Sequence, residues 1–132
     1  MLGRANAQQF PFMFETINKS GDSRRVIAEN PNRGEGMKPL VTSFSVEEVQ
    51  ENAKNVIASM PRTKLVKEKD GFMHFVQITP LFRFHDDIFV KLFSEDGKTN
   101  VWLQSQSRLG LHDLMVNEKR IKQIYSKLKE LT

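Results

Sequence analysis

Side chains that could do acid–base or anion-binding chemistry are concentrated between positions 83 and 120 of the chain. A carboxylate can act as a general acid or base, and an arginine can clamp a carboxylate or phosphate through two parallel hydrogen bonds. The candidate polar cluster consists of Arg83, Asp86, Asp87, Ser105, Ser107, Arg108, Asp113, Asn117 and Arg120. An enzyme built on this cluster would use Asp86 or Asp87 as its acid or base.

Two His-Asp pairs, His85-Asp86 and His112-Asp113, raise the question of a metal site. Imidazole and carboxylate ligands together suit zinc or another non-haem metal. Their spacing matches no specific metal motif, however, and neighbouring residues of a regular strand point to opposite faces. The chain also has no cysteine, no phosphate-binding glycine loop and no nucleophile elbow. We therefore predict no metal and no other cofactor, and we assign no catalytic residue.

Residues 81–108 predict the β-hairpin that positions the cluster. Asp96-Gly97 lies between two apolar runs and is typical of a two-residue turn, because both residues tolerate a positive φ. This turn places Leu92 opposite Val101 and fixes the remaining register. One face then carries the core residues, which are Phe82, Phe84, Ile88, Val90, Leu92, Val101 and Leu103, with Asp86, Ser105 and Ser107 at one end.

Asp86 is the exceptional residue on this face, because a carboxylate buried without partners is very costly. Ser105, Ser107 or backbone N–H groups of residues 109–116 could donate hydrogen bonds to it. It is either a structural latch that ties that segment to the sheet or an acid that acts on a ligand. Structural hydrogen-bond networks also collect such residues, which favours the latch.

The opposite face of the hairpin carries a candidate binding face formed by Phe89, Phe93 and Trp102. If helices cover the other side of the sheet, these side chains are left exposed, and exposed apolar patches usually mark a contact surface. The partner would be a second copy of the chain, another protein or a small apolar ligand. Asp87 and Arg108 lie diagonally on the same face, within reach of an ion pair.

The remaining segments predict a strand, a helix, four strands and a final helix. Ser45-Val46-Glu47-Glu48 is a capping box, and apolar residues then follow at helical spacing up to Pro61. Strands are predicted around Asp70-Gly71, and Asn117 is the predicted cap of the last helix. The fold class is therefore α+β, with a curved, mainly antiparallel sheet covered on one face by two helices.

Composition bounds the class of protein. The chain has 132 residues, which suits one α+β domain from residue 39 onward, preceded by a partly ordered arm over residues 1–38. The net charge of +4 lacks the dense basic footprint of a dedicated nucleic-acid binder. No apolar run is long enough to span a membrane, and no signal-peptide core is present. We expect a soluble cytoplasmic protein, with an organellar location as the alternative.

Two blocks of the sequence, Phe82-Arg83-Phe84-His85-Asp86-Asp87 and the stretch from Ser105 to Ile121, resemble the domain-of-unknown-function family 1499. The resemblance covers most of the chain from Pro39 onward and implies no activity, because the family has none established. The chain departs from the family pattern in three places. Arg33 stands where a cysteine is expected, Gln104 replaces an arginine and Met115 replaces a glycine.

The order of elements is similar to that of TATA-box-binding-protein-like folds and of half a helix-grip fold, an analogy that carries no function by itself. Our hypothesis is a non-enzymatic binding or interaction module that holds an apolar or acyl ligand, or a protein partner, against the sheet. The alternative hypothesis is an enzyme with an Asp/Arg polar site at the end of the main hairpin.

Overall fold

The computed structural model of the protein describes the backbone of residues 25–27, 39–107 and 116–132. Side chains are described for residues 39–105 and 116–132. The elements are β1 (Arg25–Ile27), β2 (Leu40–Thr42), α1 (Val46–Ala58), β3 (Thr63–Lys69), β4 (Phe72–Ile78), β5 (His85–Glu95), β6 (Lys98–Ser107) and α2 (Val116–Leu131). This order confirms the predicted α+β class.

The β5–β6 hairpin has the register that its turn predicts. Asp96 and Gly97 have φ values of 55° and 75°, the left-handed conformation that a two-residue hairpin turn requires. Glu95 pairs with Lys98, and the pairing continues without a shift to Asp86 opposite Ser107. The described side chains of β5 and β6 therefore lie on the faces to which the sequence assigns them.

The sheet is antiparallel throughout its described pairings, and its main path runs β1-β6-β5-β4-β3. β1 and β2 both pair with β6, at Gln104–Gln106 and at Thr99–Val101 respectively. Strand β1 lies within the segment for which the sequence predicts only an irregular arm. The rest of that arm lies outside the described residues.

Helix α1 begins where the capping box places it. The Ser45 hydroxyl accepts a hydrogen bond from the Glu48 N–H, and the Glu48 carboxylate accepts one from the Ser45 N–H, each at 3.1 Å. The apolar stripe of α1 packs with that of α2 on one face of the sheet. The core residues are Leu40, Val49, Ala53, Val56, Ile57, Met60, Met73, Phe75, Ile88, Val90, Leu92, Val101, Leu103, Ile121, Ile124, Tyr125 and Leu128.

The start of β5 differs from the sequence-based expectation. The strand begins at His85, and Phe82 and Phe84 lie in the β4–β5 connection, where they are 70% and 38% exposed. Arg83 has a φ of 60°, which breaks the alternation that would have carried both rings onto the core face. The prediction that the helices cover them is therefore wrong, whereas it is confirmed for Ile88 and Val90.

Neither α1 nor α2 is long and apolar enough to cross a bilayer, and no other helix lies within the described residues.

Candidate functional site

Part of the predicted polar cluster converges at one end of the helix-covered face. Asp86 and Gln77 occupy paired positions on β5 and β4. Ser105 lies on β6, the strand on the other side of β5, where it pairs with Ile88. Arg120 and Asn117, from the first turns of α2, meet them from above the sheet. Each of these five residues is at least nine-tenths buried, so their polar atoms need hydrogen-bond partners within the protein.

Arg120 is the centre of this arrangement. Its Nη2 donates to Oδ2 of Asp86 at 2.9 Å, and its Nε donates to Oε1 of Gln77 at 2.5 Å. Its Nη1 donates to the Ser105 hydroxyl at 3.0 Å and to Oδ1 of Asn117 at 2.9 Å. These contacts occupy most of the five N–H donors of a guanidinium group. Arg120 therefore fastens α2 to three strands of the sheet.

Two further hydrogen bonds extend the network. The Ser105 hydroxyl donates to Oδ1 of Asn117 at 2.6 Å, and Nε2 of Gln77 donates to the Pro61 carbonyl oxygen at 3.0 Å. Gln77 thereby connects Arg120 to the link between α1 and β3. The cluster is a rigid support, because each member restrains the rotamer of its neighbours.

The structure describes only part of the predicted latch. The described hydrogen bond of Asp86 joins α2 to the sheet through Arg120, and its predicted contacts with Ser107 and residues 109–115 lie outside the described residues. Asn117 is not the helix cap, because α2 already begins at Val116 and the Asn117 side chain is buried in the network. The side chain of Ser107, together with Arg108 and Asp113, lies outside the described residues.

Asp87 and Arg83 do not join the cluster. Asp87 lies on the opposite face of the sheet, where its Oδ1 is 2.8 Å from Nε2 of His74. The His74 ring stacks on Phe89, with 4.5 Å between ring centroids. Arg83 is exposed in the β4–β5 connection. The predicted pairing of Asp87 with Arg108 stays a prediction, since Arg108 lies outside the described residues.

The predicted binding face is smaller than expected. Phe89 is fully buried, because it lies on the central strand between His74 on β4 and Gln104 on β6. The expectation that it is exposed is therefore wrong. Phe93 and Trp102 are half-buried, with 5.8 Å between their ring centroids in an edge-to-face arrangement. Their role in binding stays a prediction.

A pocket of about 360 Å³ lies beside the Arg120 network. This open pocket is bordered by the α1–β3 link, by the end of β4 with the residues that follow it, and by the first two turns of α2. Its walls consist of Met60, Pro61, Arg62, Gln77, Ile78, Thr79, Pro80, Val116, Lys119, Arg120 and Gln123. Gln77 and Arg120 belong both to the hydrogen-bond network and to the pocket lining, so the network forms one wall of the pocket.

The sequence analysis missed Gln77 and His74. Gln77 follows Met73 and Phe75 at alternate positions, so it is a polar residue on a core face, which is the same signal that identified Asp86. His74 lies on the other face of β4 and carries no comparable signal. The pocket itself depends on the packing of α2 against the β4 end, which no local pattern specifies.

A sequence model of the family described as "Protein of unknown function (DUF1499)" matches residues 13–128 of the chain. The chain belongs to the DUF1499 family. The match confirms the resemblance that the Phe82–Asp87 and Ser105–Ile121 blocks indicate. No curated protein matched this DUF1499 chain in a sequence comparison.

Two solved structures resemble the DUF1499 chain distantly. TTHA0849 from Thermus thermophilus matches with a TM-score of 0.41 and 10% identity, over 82% of this chain and 99% of its own. Ara h 8.0201 matches with a TM-score of 0.31 and 11% identity, over 70% of this chain and 92% of its own. Neither likeness carries an argument about this chain.

Proposed function

We propose that the protein is a non-enzymatic binding module that holds a small amphiphilic anion in the pocket beside Arg120. The ligand would have an apolar body and one acidic head group, as an acyl carboxylate has. The observation that carries the proposal is a mostly apolar pocket whose lining includes two cationic side chains outside the Arg120 network, Arg62 and Lys119.

The walls of the pocket suit an apolar ligand body. Five of the eleven lining residues are apolar, namely Met60, Pro61, Ile78, Pro80 and Val116, and most of the lining surface is apolar. Small-molecule sites are typically concave and mostly apolar, with a few polar groups that fix orientation, and their volumes begin at roughly 300 Å³. The pocket therefore has the size and the lining of a site for a small ligand.

Arg62 is positioned for anion binding by an unusual backbone conformation. Its φ is 55°, a region that non-glycine residues seldom occupy and that is often associated with function. Its carbonyl oxygen accepts from the Ile78 N–H at 3.0 Å, and its Nε donates to the Ile78 carbonyl oxygen at 2.7 Å. The first contact holds the Arg62 backbone, and the second holds its side chain, against the end of β4.

The terminal nitrogens of Arg62 and the ammonium group of Lys119 make no hydrogen bond or ion pair in the part of the chain that the structure describes. The lining residues include no carboxylate that could neutralise them. A guanidinium fork binds carboxylate and phosphate groups well, and the neighbouring ammonium adds a second positive charge. An anionic head group therefore has two available partners at this site.

The Arg120 network supports binding without contributing a free charge. Four of its hydrogen bonds are made to protein groups, so its role is to hold the pocket wall in place. A wall that is already rigid lowers the entropic cost of binding a ligand. This preorganisation favours a binding module.

The enzyme alternative has weaker support. Asp86 is 1% exposed, is ion-paired with Arg120 and is not among the residues that line the pocket. A general acid or base has to reach the group whose proton it transfers. A role for Phe93 and Trp102 in binding a protein partner or a second copy of the chain remains a separate proposal.

The proposal is tested by calorimetric titration with decanoate and with decanol, which share an apolar chain and differ in the acidic group. Decanoate should bind the full chain at least about tenfold more tightly, as expected when a charge-assisted contact adds about 1.5–3 kcal/mol. In the double variant Arg62→Gln/Lys119→Gln, the affinity for decanoate should fall to that for decanol. Equal affinities in the unmodified protein would contradict the assignment of an anionic ligand.

A further inference from the structure

We propose that the β4–β5 connection, residues 79–84, is a docking loop for the surface of an anionic lipid bilayer. The loop has the sequence Thr-Pro-Leu-Phe-Arg-Phe. Leu81 and Phe82 are 79% and 70% exposed, and Phe84 is 38% exposed. Three large apolar side chains are thus presented to solvent within four consecutive residues, which is unusual for a surface that has no partner.

The loop is held closed in a way that keeps these side chains out of the core. The Thr79 N–H donates to the Phe84 carbonyl oxygen at 2.8 Å, and the Phe84 N–H donates to the Thr79 hydroxyl at 2.8 Å. Arg83 adopts a φ of 60° between them. The rings of Phe82 and Phe84 stack on each other, with centroids 5.5 Å apart. The exposed apolar cluster is therefore a preformed feature of the loop.

The charges around the loop indicate which kind of partner it binds. Arg83 lies at the tip of the loop and makes no hydrogen bond or ion pair with any described residue. Pro80 also lines the pocket that contains Arg62 and Lys119, so two further cationic residues line a pocket that adjoins the loop. The loop and the pocket lining contain no carboxylate. An apolar tip next to cations, with no carboxylate in the loop or in the described pocket lining, matches a membrane with anionic head groups.

The physical chemistry of the interface agrees with this choice. Aromatic side chains concentrate at the boundary between lipid tails and water, and arginine extends its charge into the head-group layer while its methylenes stay in apolar surroundings. Each basic residue near an anionic surface strengthens binding about fivefold. A short loop of this composition can therefore insert its tip while the sheet and helices remain in water.

The experiment is co-sedimentation of the full chain with vesicles of phosphatidylcholine alone and of phosphatidylcholine mixed equally with phosphatidylglycerol. The unmodified protein should bind the anionic vesicles and bind the neutral ones at least about fivefold more weakly. Leu81→Ser/Phe82→Ser should weaken binding to anionic vesicles by about tenfold or more, since two exposed apolar side chains no longer enter the interface. Arg83→Gln should lower the preference for anionic vesicles by about fivefold.

The matched control is Val66→Ser/Leu131→Ser, which also removes two exposed apolar side chains, from β3 and from the end of α2. Circular dichroism and thermal unfolding check that both double variants are folded. Unchanged binding in the control, with loss in the loop variant, supports the proposal. Absence of binding by the unmodified protein, equal binding to both vesicle types, or equal loss in the control would each overturn it.

Discussion

Nη2 of Arg120 lies 2.9 Å from Oδ2 of Asp86, and the two side chains are only 5% and 2% exposed. The residues are 34 positions apart in the chain, and the contact joins α2 to the central strand of the sheet. An ion pair this deeply buried stabilises a fold only if its remaining hydrogen bonds are also satisfied. Gln77, Ser105 and Asn117 meet that condition for Arg120.

Asp86→Asn should therefore lower the free energy of unfolding by about 3–5 kcal/mol, because it leaves the Arg120 charge buried beside a neutral partner. Urea denaturation of the variant and the unmodified protein measures the difference. Glu95→Gln, an exposed hairpin residue opposite Lys98, is the control and should change stability by less than about 0.5 kcal/mol. Unchanged or increased stability of Asp86→Asn would indicate a strained functional carboxylate and would favour the enzyme alternative.

Gly71→Ala should be far more damaging than Gly97→Ala. Both glycines have a positive φ, 78° and 75°, so both substitutions strain the backbone by about 1 kcal/mol. A Cβ at position 71 would also lie 2.8 Å from the Leu92 carbonyl oxygen, whereas nothing lies within 4 Å of one at position 97. The clash should add about 1–3 kcal/mol. Thermal unfolding of the two variants tests this, and equal losses would show that the β3–β4 turn relaxes without cost.

His74 and Asp87 should be energetically coupled. Their side chains are 12% and 9% exposed and 2.8 Å apart, on the face of the sheet away from the helices. A double-mutant cycle with His74→Gln and Asp87→Asn should give a coupling free energy of about 1 kcal/mol, the usual value for a hydrogen-bonded pair. Additive effects of the two substitutions would show that the contact contributes nothing to stability.

The parts of the fold that follow from local rules could be predicted from the sequence. The turn at Asp96-Gly97 determines the β5–β6 pairing, because a two-residue loop permits one register. Ser45 and Glu48 determine the start of α1 in the same way. These signals act over a few residues, so they are visible without knowledge of the tertiary structure.

The features that could not be predicted from the sequence depend on contacts between residues distant in the chain, or on a backbone conformation that interrupts a local pattern. Phe82 and Phe84 continue the alternation of β5, and only the positive φ of Arg83 removes them from the strand. The partner of Asp86 depends on how α2 is rotated over the sheet. The burial of Phe89 depends on its neighbours across the strands, so the candidate binding face could not be delimited from alternation alone.

The most direct measurement is a calorimetric titration of decanoate into the unmodified protein, Val116→Trp and Leu131→Trp. Val116 lines the pocket and Leu131 ends the same helix, and both are exposed enough to accept a larger side chain. We expect one binding site in the unmodified protein and in Leu131→Trp, and at least about tenfold weaker binding in Val116→Trp, whose indole fills the pocket. Undiminished binding by a folded Val116→Trp protein would contradict the claim that this pocket is the binding site.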